Sequence, residues 1–161
     1  MPPLRRGELE RHGALNHMAA ALLDASLVVL ACVVTVTDLR SRLVPDAPLV
    51  IALVVALGVC LLSDPAGVPL RLAAGTGAAG SLLAAALVRP EGMGLGDVKL
   101  AGVLGVYLAG SVIEAMLVAY AAGSVAGLAL IARHGWEARR RTIPFAPFLA
   151  LGAVVTLVVR P

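Results

Sequence analysis

The chain of 161 residues is 60% hydrophobic and only 14% charged, with a mean hydropathy of +0.95, which excludes a soluble domain and points to an integral membrane protein. Its net charge of +3 and pI near 9.4 come without a Lys/Arg run interleaved with aromatics, so the basic excess is loop charge that sets topology, and no nucleic-acid partner is expected. Aromatics are 3%, and Ala, Leu, Val and Gly dominate, a composition for helices that pack closely through small residues.

Residues 1–17 (MPPLRRGELERHGALNH) are polar and mixed in charge, and are expected to form a poorly ordered tail before one membrane-embedded domain over 18–161. A first apolar span at about 18–37 runs on to Asp38 without a small-residue cleavage site, so a cleaved signal peptide is not expected. The charged connection DLRSRLVPD leads to a second span at about 47–63, and SDPAGVP to a third at about 68–88 that carries Arg71. RPEGMGLGD follows. From Val98 to Arg133 the chain stays apolar for about 36 residues, too long for one span of ~20 residues, and breaks at Ala109-Gly110-Ser111. This leaves a short fourth element at about 98–109, covering only ~18 Å of a ~30 Å hydrocarbon core, and a fifth at about 112–131. The basic segment RHGWEARRRTIP precedes a last span at about 146–159. The expected architecture is all-α and polytopic, with about six transmembrane helices.

Loops 38–46, 89–99 and 132–143 hold Arg40, Arg42, Arg89, Lys99, Arg133, Arg139, Arg140 and Arg141, whereas the other side keeps Arg71, Arg160, Arg5, Arg6 and Arg11. The larger group marks the cytoplasmic side. Both termini then face outward. Cys32 and Cys60 lie in apolar stretches with no CxxC pairing and are expected to be small packed residues. Small residues recur every four positions in Ala119/Gly123/Gly127, Ala101/Gly105/Ala109 and Gly77/Ser81/Ala85, a pattern for close helix approach.

Ionisable groups in or beside apolar spans are costly, so each is a functional candidate. Asp38 ends the first span and Asp97 opens the fourth, on the same side and at similar depth. Two carboxylates held close in a low-dielectric site share a proton. The ionised member can activate water and the protonated member can supply a proton to a leaving amine, which is aspartic-protease chemistry and needs no metal or cofactor. For Asp97 alone, a helix N-cap is an equally good reading. Asp38 lies at a helix C-terminus, where the dipole disfavours an anion. Gly92, Gly94 and Gly96 leave bare backbone before Asp97, open to positive φ or to pairing with an extended substrate.

Asp24, Glu114 and Asp64 lie towards the outer side and are not expected to be catalytic, while His12, His17 and His134 are too scattered for a metal site or a Ser-His pair. GTGAAG at 75–80 fits a dinucleotide pattern but lies within an apolar span with no strand before it. AAGSVAG lacks the Gly-x-Ser-Gly arrangement of intramembrane serine proteases.

Three stretches together resemble one family. GMGLGDVKL is similar to the glycine-x-glycine-aspartate motif of the type IV prepilin peptidases, DLRSRLVPD to their first catalytic segment, and TIPFAPFLALG to the Pro/Phe-rich opening of their last helix. The resemblance covers about residues 20–160. It implies a GxGD-type membrane aspartyl protease that removes the short basic leader of pilin-like precursors at the cytoplasmic face of the bacterial inner membrane. It assigns Asp38 and Asp97 as the catalytic pair, with Gly94, Gly96, Lys99, Pro144, Phe145 and Pro147 as supporting motif positions. Asp46 stands where Asn is common in the family and Ala146 where Gly is frequent. Longer bacterial members carry a large, cysteine-paired first cytoplasmic segment and also N-methylate the pilin. Here that loop is short and cysteine-free, which implies peptidase activity without methyl transfer. The expected partners are pilin or pseudopilin precursors and the lipid bilayer; the oligomeric state stays open.

Two other classes compete. A small transporter or proton-relay protein also uses paired carboxylates, but leaves their position at helix ends and the Pro-Phe segment unexplained. An assembly subunit of a secretion system accounts for the small-residue packing and leaves both aspartates idle. Presenilin-like GxGD proteases have nine helices and a Pro-Ala-Leu segment not found here.

Overall fold

The computed structural model describes residues 6–41, 44–88, 94–135 and 144–160. Arg5, Arg42, Arg89, Gly92 and Arg139–Arg141 lie outside the described residues. Six α-helices are present among the described residues: α1 (Arg6–Ser41), α2 (Asp46–Ser63), α3 (Val68–Val88), α4 (Leu95–Leu108), α5 (Val112–His134) and α6 (Ala146–Val159). Four stretches, Gly13–Ser41, Asp46–Ser63, Pro65–Val88 and Leu95–Arg133, are long and apolar enough to cross a membrane, and Ala146–Val159 is a shorter apolar helix. The chain is an all-α polytopic membrane protein.

The breaks follow local chemistry. Asp64 precedes Pro65, which disfavours helix at the residue before it, and its carboxylate accepts from the Gly67 amide at 3.1 Å. Ala109 leaves α4 with φ of 50°, ending the helix at the Ala-Gly-Ser step read from the sequence. The expected tail is different: α1 begins at Arg6, not near 18. Residues 7–17 contain no proline and include Glu8, Leu9, Glu10, Ala14 and Leu15, good helix formers that extend a helix already nucleated in the apolar segment.

Helix α4 sits at the centre. Leu100, Ala101 and every residue from Val103 to Leu108 are buried, because α4 packs against α3, α2, α1, α5 and α6. A helix apolar on all sides suits only such a position. Its closest neighbour is α3: a Cβ at Gly105 would lie 2.5 Å from the Gly75 Cα, and one at Gly75 would lie 2.7 Å from the Gly102 carbonyl. The α3 contact face is therefore Gly75, Ala78, Leu82 and Ala86, not the Gly77/Ser81/Ala85 row, which is exposed. Helix spacing fixes this, since 75, 78, 82 and 86 stay on one stripe.

At 14 residues α4 is only ~21 Å long, so its last carbonyls end inside the bundle, where orphan backbone groups are expensive. Arg71 of α3 donates to the Val106 and Tyr107 carbonyls at 3.2 and 3.0 Å, and Arg160 after α6 donates to the Leu108 carbonyl. These arginines, counted above only as topology charges, cap a buried helix end. Lower down, the Tyr107 hydroxyl donates to the Ala52 carbonyl at 2.9 Å and receives from Ser26 Oγ at 3.1 Å, tying α4 to α2 and α1. The helix alternation thus gathers the C-terminal ends of α1, α3 and α5 with the N-terminal ends of α2, α4 and α6.

Candidate active site

Asp38 continues the buried stripe Leu23, Leu27, Leu30 and Val34 of α1 and is itself 5% exposed. Spacings of three and four residues make this one helix face, so a carboxyl group occupies the next place in an apolar seam. Its Oδ2 is buried without a hydrogen-bond partner among the described residues. Orphaned buried polar atoms of this kind are rare and call for a chemical reason.

Asp97 is the third residue of α4 and 8% exposed. It is not the N-cap; Gly94 is, with φ −79° and ψ 147°. The Asp97 amide donates to the Gly94 carbonyl at 3.1 Å, and the Asp97 carboxyl folds back towards the Gly94 backbone. This fold-back is half of a capping box, since glycine has no side chain to return the bond. It aims the carboxyl back over the helix start, towards α1 and α6.

Ala146 is fully buried at the start of α6, and its backbone amide faces both carboxyl groups. The first turn of α6 explains why that amide is available. Pro147 has no N–H, while Phe148 and Leu149 both donate to the Phe145 carbonyl at 3.0 and 3.2 Å. The Ala146 amide is thus left without a partner inside the helix, at its positive end. Asp38 and Asp97 are thus brought together from distant segments, within electrostatic reach of one another. They are the only buried carboxyl groups among the described residues.

The remaining motif positions separate into distinct roles. A Cβ at Gly96 would lie 2.8 Å from the Val44 Cβ, so Gly96 lets the α1–α2 connection lie on α4 and is not bare backbone for a substrate. Residues from Leu95 onward are helical, which removes pairing with an extended strand there, and neither Gly94 nor Gly96 uses positive φ. Gly94 is exposed and open; the nearest atoms to a Cβ there are Asp97 Oδ2 and Gly96 N, both at 3.9 Å. Lys99 lies two residues beyond Asp97, on the opposite side of α4, and pairs with Asp46 at 2.7 Å. Pro144 and Phe145 lead into α6, and Pro147 is its second residue. Asp24 and Glu114 are exposed and far along their helices from this end.

The Ala146 amide was invisible to sequence reasoning, because any residue but proline carries one. The available signal was the Pro-x-x-Pro frame around it, which leaves only the Phe145 and Ala146 amides as donors between two residues that carry none.

Residues 25–132 match the type IV leader peptidase family, a span that includes Asp38 and Asp97 but ends before Pro144, Phe145 and Pro147. Prepilin leader peptidase/N-methyltransferases of two Burkholderia pseudomallei strains, 1026b and K96243, are each 39% identical over 71 residues, covering 42% of this chain and 22% of the relative. The match thus spans about a fifth of the length of these relatives. No solved structure matches. The chain belongs to the type IV leader peptidase family.

Proposed function

We propose that this member of the type IV leader peptidase family is an aspartic endopeptidase that removes the short basic leader of pilin-like precursors at the cytoplasmic face of the bacterial membrane. Asp38 and Asp97 are its catalytic pair. The observation that carries the reading is the convergence of their carboxyl groups on the Ala146 amide.

One carboxylate takes a proton from water as its oxygen adds to the scissile carbonyl carbon. The other, protonated, gives its proton to the departing amine as the C–N bond breaks. The Ala146 and Gly94 amides hold the two side chains in register and stabilise the ionised member, so little reorganisation accompanies the charge movement. Gly94 is the open position through which a substrate backbone approaches Asp97. The excess of basic residues in the connections at this end supports its facing the cytoplasm. A proton relay needs carboxyl groups in series, and Asp24 and Glu114 are exposed and remote from the pair.

The test is to incubate the purified protein in lipid with a precursor carrying a basic leader and an apolar segment, and to identify products by mass spectrometry. Release of the intact leader, with a new N-terminus just before the apolar segment, is expected. An uncut precursor, or cuts within the apolar segment, would refute the assignment.

A further inference from the structure

We infer that Gly123 of α5 is a positioning residue for the carboxyl pair, acting through the Phe145 ring on the Ala146 amide; this rests on the aspartic peptidase reading above. The chain has only two Phe and two Tyr, and three of these four gather beside the pair. The Phe145 ring lies between Tyr120, at 5.9 Å between centroids, and Phe148, at 6.0 Å. Its remaining side faces Gly123, where a Cβ would lie 2.8 Å from Phe145 Cε2, 3.5 Å from its Cδ2 and 3.8 Å from Phe148 Cδ2. The Tyr120 hydroxyl is 3.3 Å from that of Ser81, which fastens this box to α3.

Carbon atoms make favourable contact at about 3.5–4.0 Å, so a methyl group at 123 has to displace the ring. Both flanks are occupied, and the displacement passes to the Phe145 backbone. That backbone is the N-cap of α6 and sets where the next amide points. Gly127, one turn further in the same row of small residues, has nothing within 4 Å of a Cβ and serves as control.

Cleavage of a precursor is compared for the wild type, Gly123→Ala, Gly127→Ala and the double variant Gly123→Ala/Phe145→Leu. Leucine keeps the Cδ atoms and removes Cε2, the atom in collision. Expected is a fall in kcat of about tenfold or more for Gly123→Ala with KM within about twofold, wild-type behaviour for Gly127→Ala, and recovery of most of the loss in the double variant. Where Gly123→Ala fails to accumulate, recovery of accumulation and cleavage together in the double variant is the supporting result, and recovery of neither overturns the inference. A readout independent of cleavage is the Ala146 amide resonance. Asp97→Asn shifts it in the wild-type background and leaves it unmoved in Gly123→Ala. A wild type that cuts nothing defeats the peptidase reading, and this resonance then decides the inference alone. Wild-type kcat in Gly123→Ala, a double variant no better than the single, or an undiminished Asp97→Asn shift would overturn it.

Discussion

Asp38, in the last turns of α1, and Asp97, in the first turn of α4, present their carboxyl groups to one backbone amide, that of Ala146. The meeting depends on three helix ends at once. The α1 seam delivers Asp38, the fold-back of its carboxyl at Gly94 turns Asp97 inward, and the proline frame of α6 leaves the Ala146 donor free. Each is a local consequence of the sequence, and the site is their coincidence.

The glycines of the aspartate motif are expected to fail differently. Gly94 has φ −79°, which any residue adopts, so Gly94→Ala should fold normally while its methyl group crowds the approach to Asp97. Activity should fall by about tenfold or more at unchanged thermal stability. Gly96→Ala strikes Val44 and should lower the melting midpoint as well. Melting curves and cleavage rates on the same preparations separate the two.

The ion pair between Lys99 and Asp46 is solvent-accessible on both sides, with side-chain exposures of 56% and 66%. Such pairs contribute less than about 1 kcal/mol. Asp46→Asn, which installs the residue common in the family, is expected to leave melting midpoint and cleavage rate within experimental scatter. A large loss of kcat would show that Asp46 acts on the pair directly.

Arg71 satisfies two carbonyls at the end of α4 remote from the aspartates. Arg71→Met keeps the apolar stem and strands both acceptors, at a cost of about 1–3 kcal/mol for each buried group. A lower melting midpoint in lipid or detergent is expected, with cleavage by the remaining folded protein close to normal. Equal stability would mean that those carbonyls find other donors.

Much of this was legible in the sequence because apolar span lengths and breaking residues are local signals. The break at Ala109-Gly110-Ser111 and the starts of α2, α3 and α6 fall where hydropathy and proline placed them. Asp38 and Asp97 stood out since charge is costly there. Relations between helices were harder. The Gly77/Ser81/Ala85 row looked like a packing face, yet α3 turns Gly75 and Ala78 inward, since the partner's surface chooses among small-residue stripes. Gly96 read as open backbone and proves covered by Val44, a contact across a loop that no spacing rule encodes. The helical start of α1 at Arg6 shows that polarity marks departure from the membrane and not the end of a helix.

The connection from Ser41 to Asp46 is short and holds no cysteine, unlike the large segment expected of methylating members. With a precursor and S-adenosylmethionine, the protein is expected to release the leader and leave the new N-terminus unmethylated. Mass spectrometry resolves the net gain of one CH₂ that a methylated N-terminus would carry. Methyl transfer would show that this segment is dispensable for it.

The most direct measurement is the cleavage rate of Asp38→Asn and Asp97→Asn in membranes, at protein levels and melting midpoints matched to wild type. Asparagine preserves shape but can neither take nor give the proton. The account expects each single variant to lose at least about a thousandfold in kcat, with the double variant no worse than either, because the pair acts as one unit. Near-normal processing by either variant would contradict it.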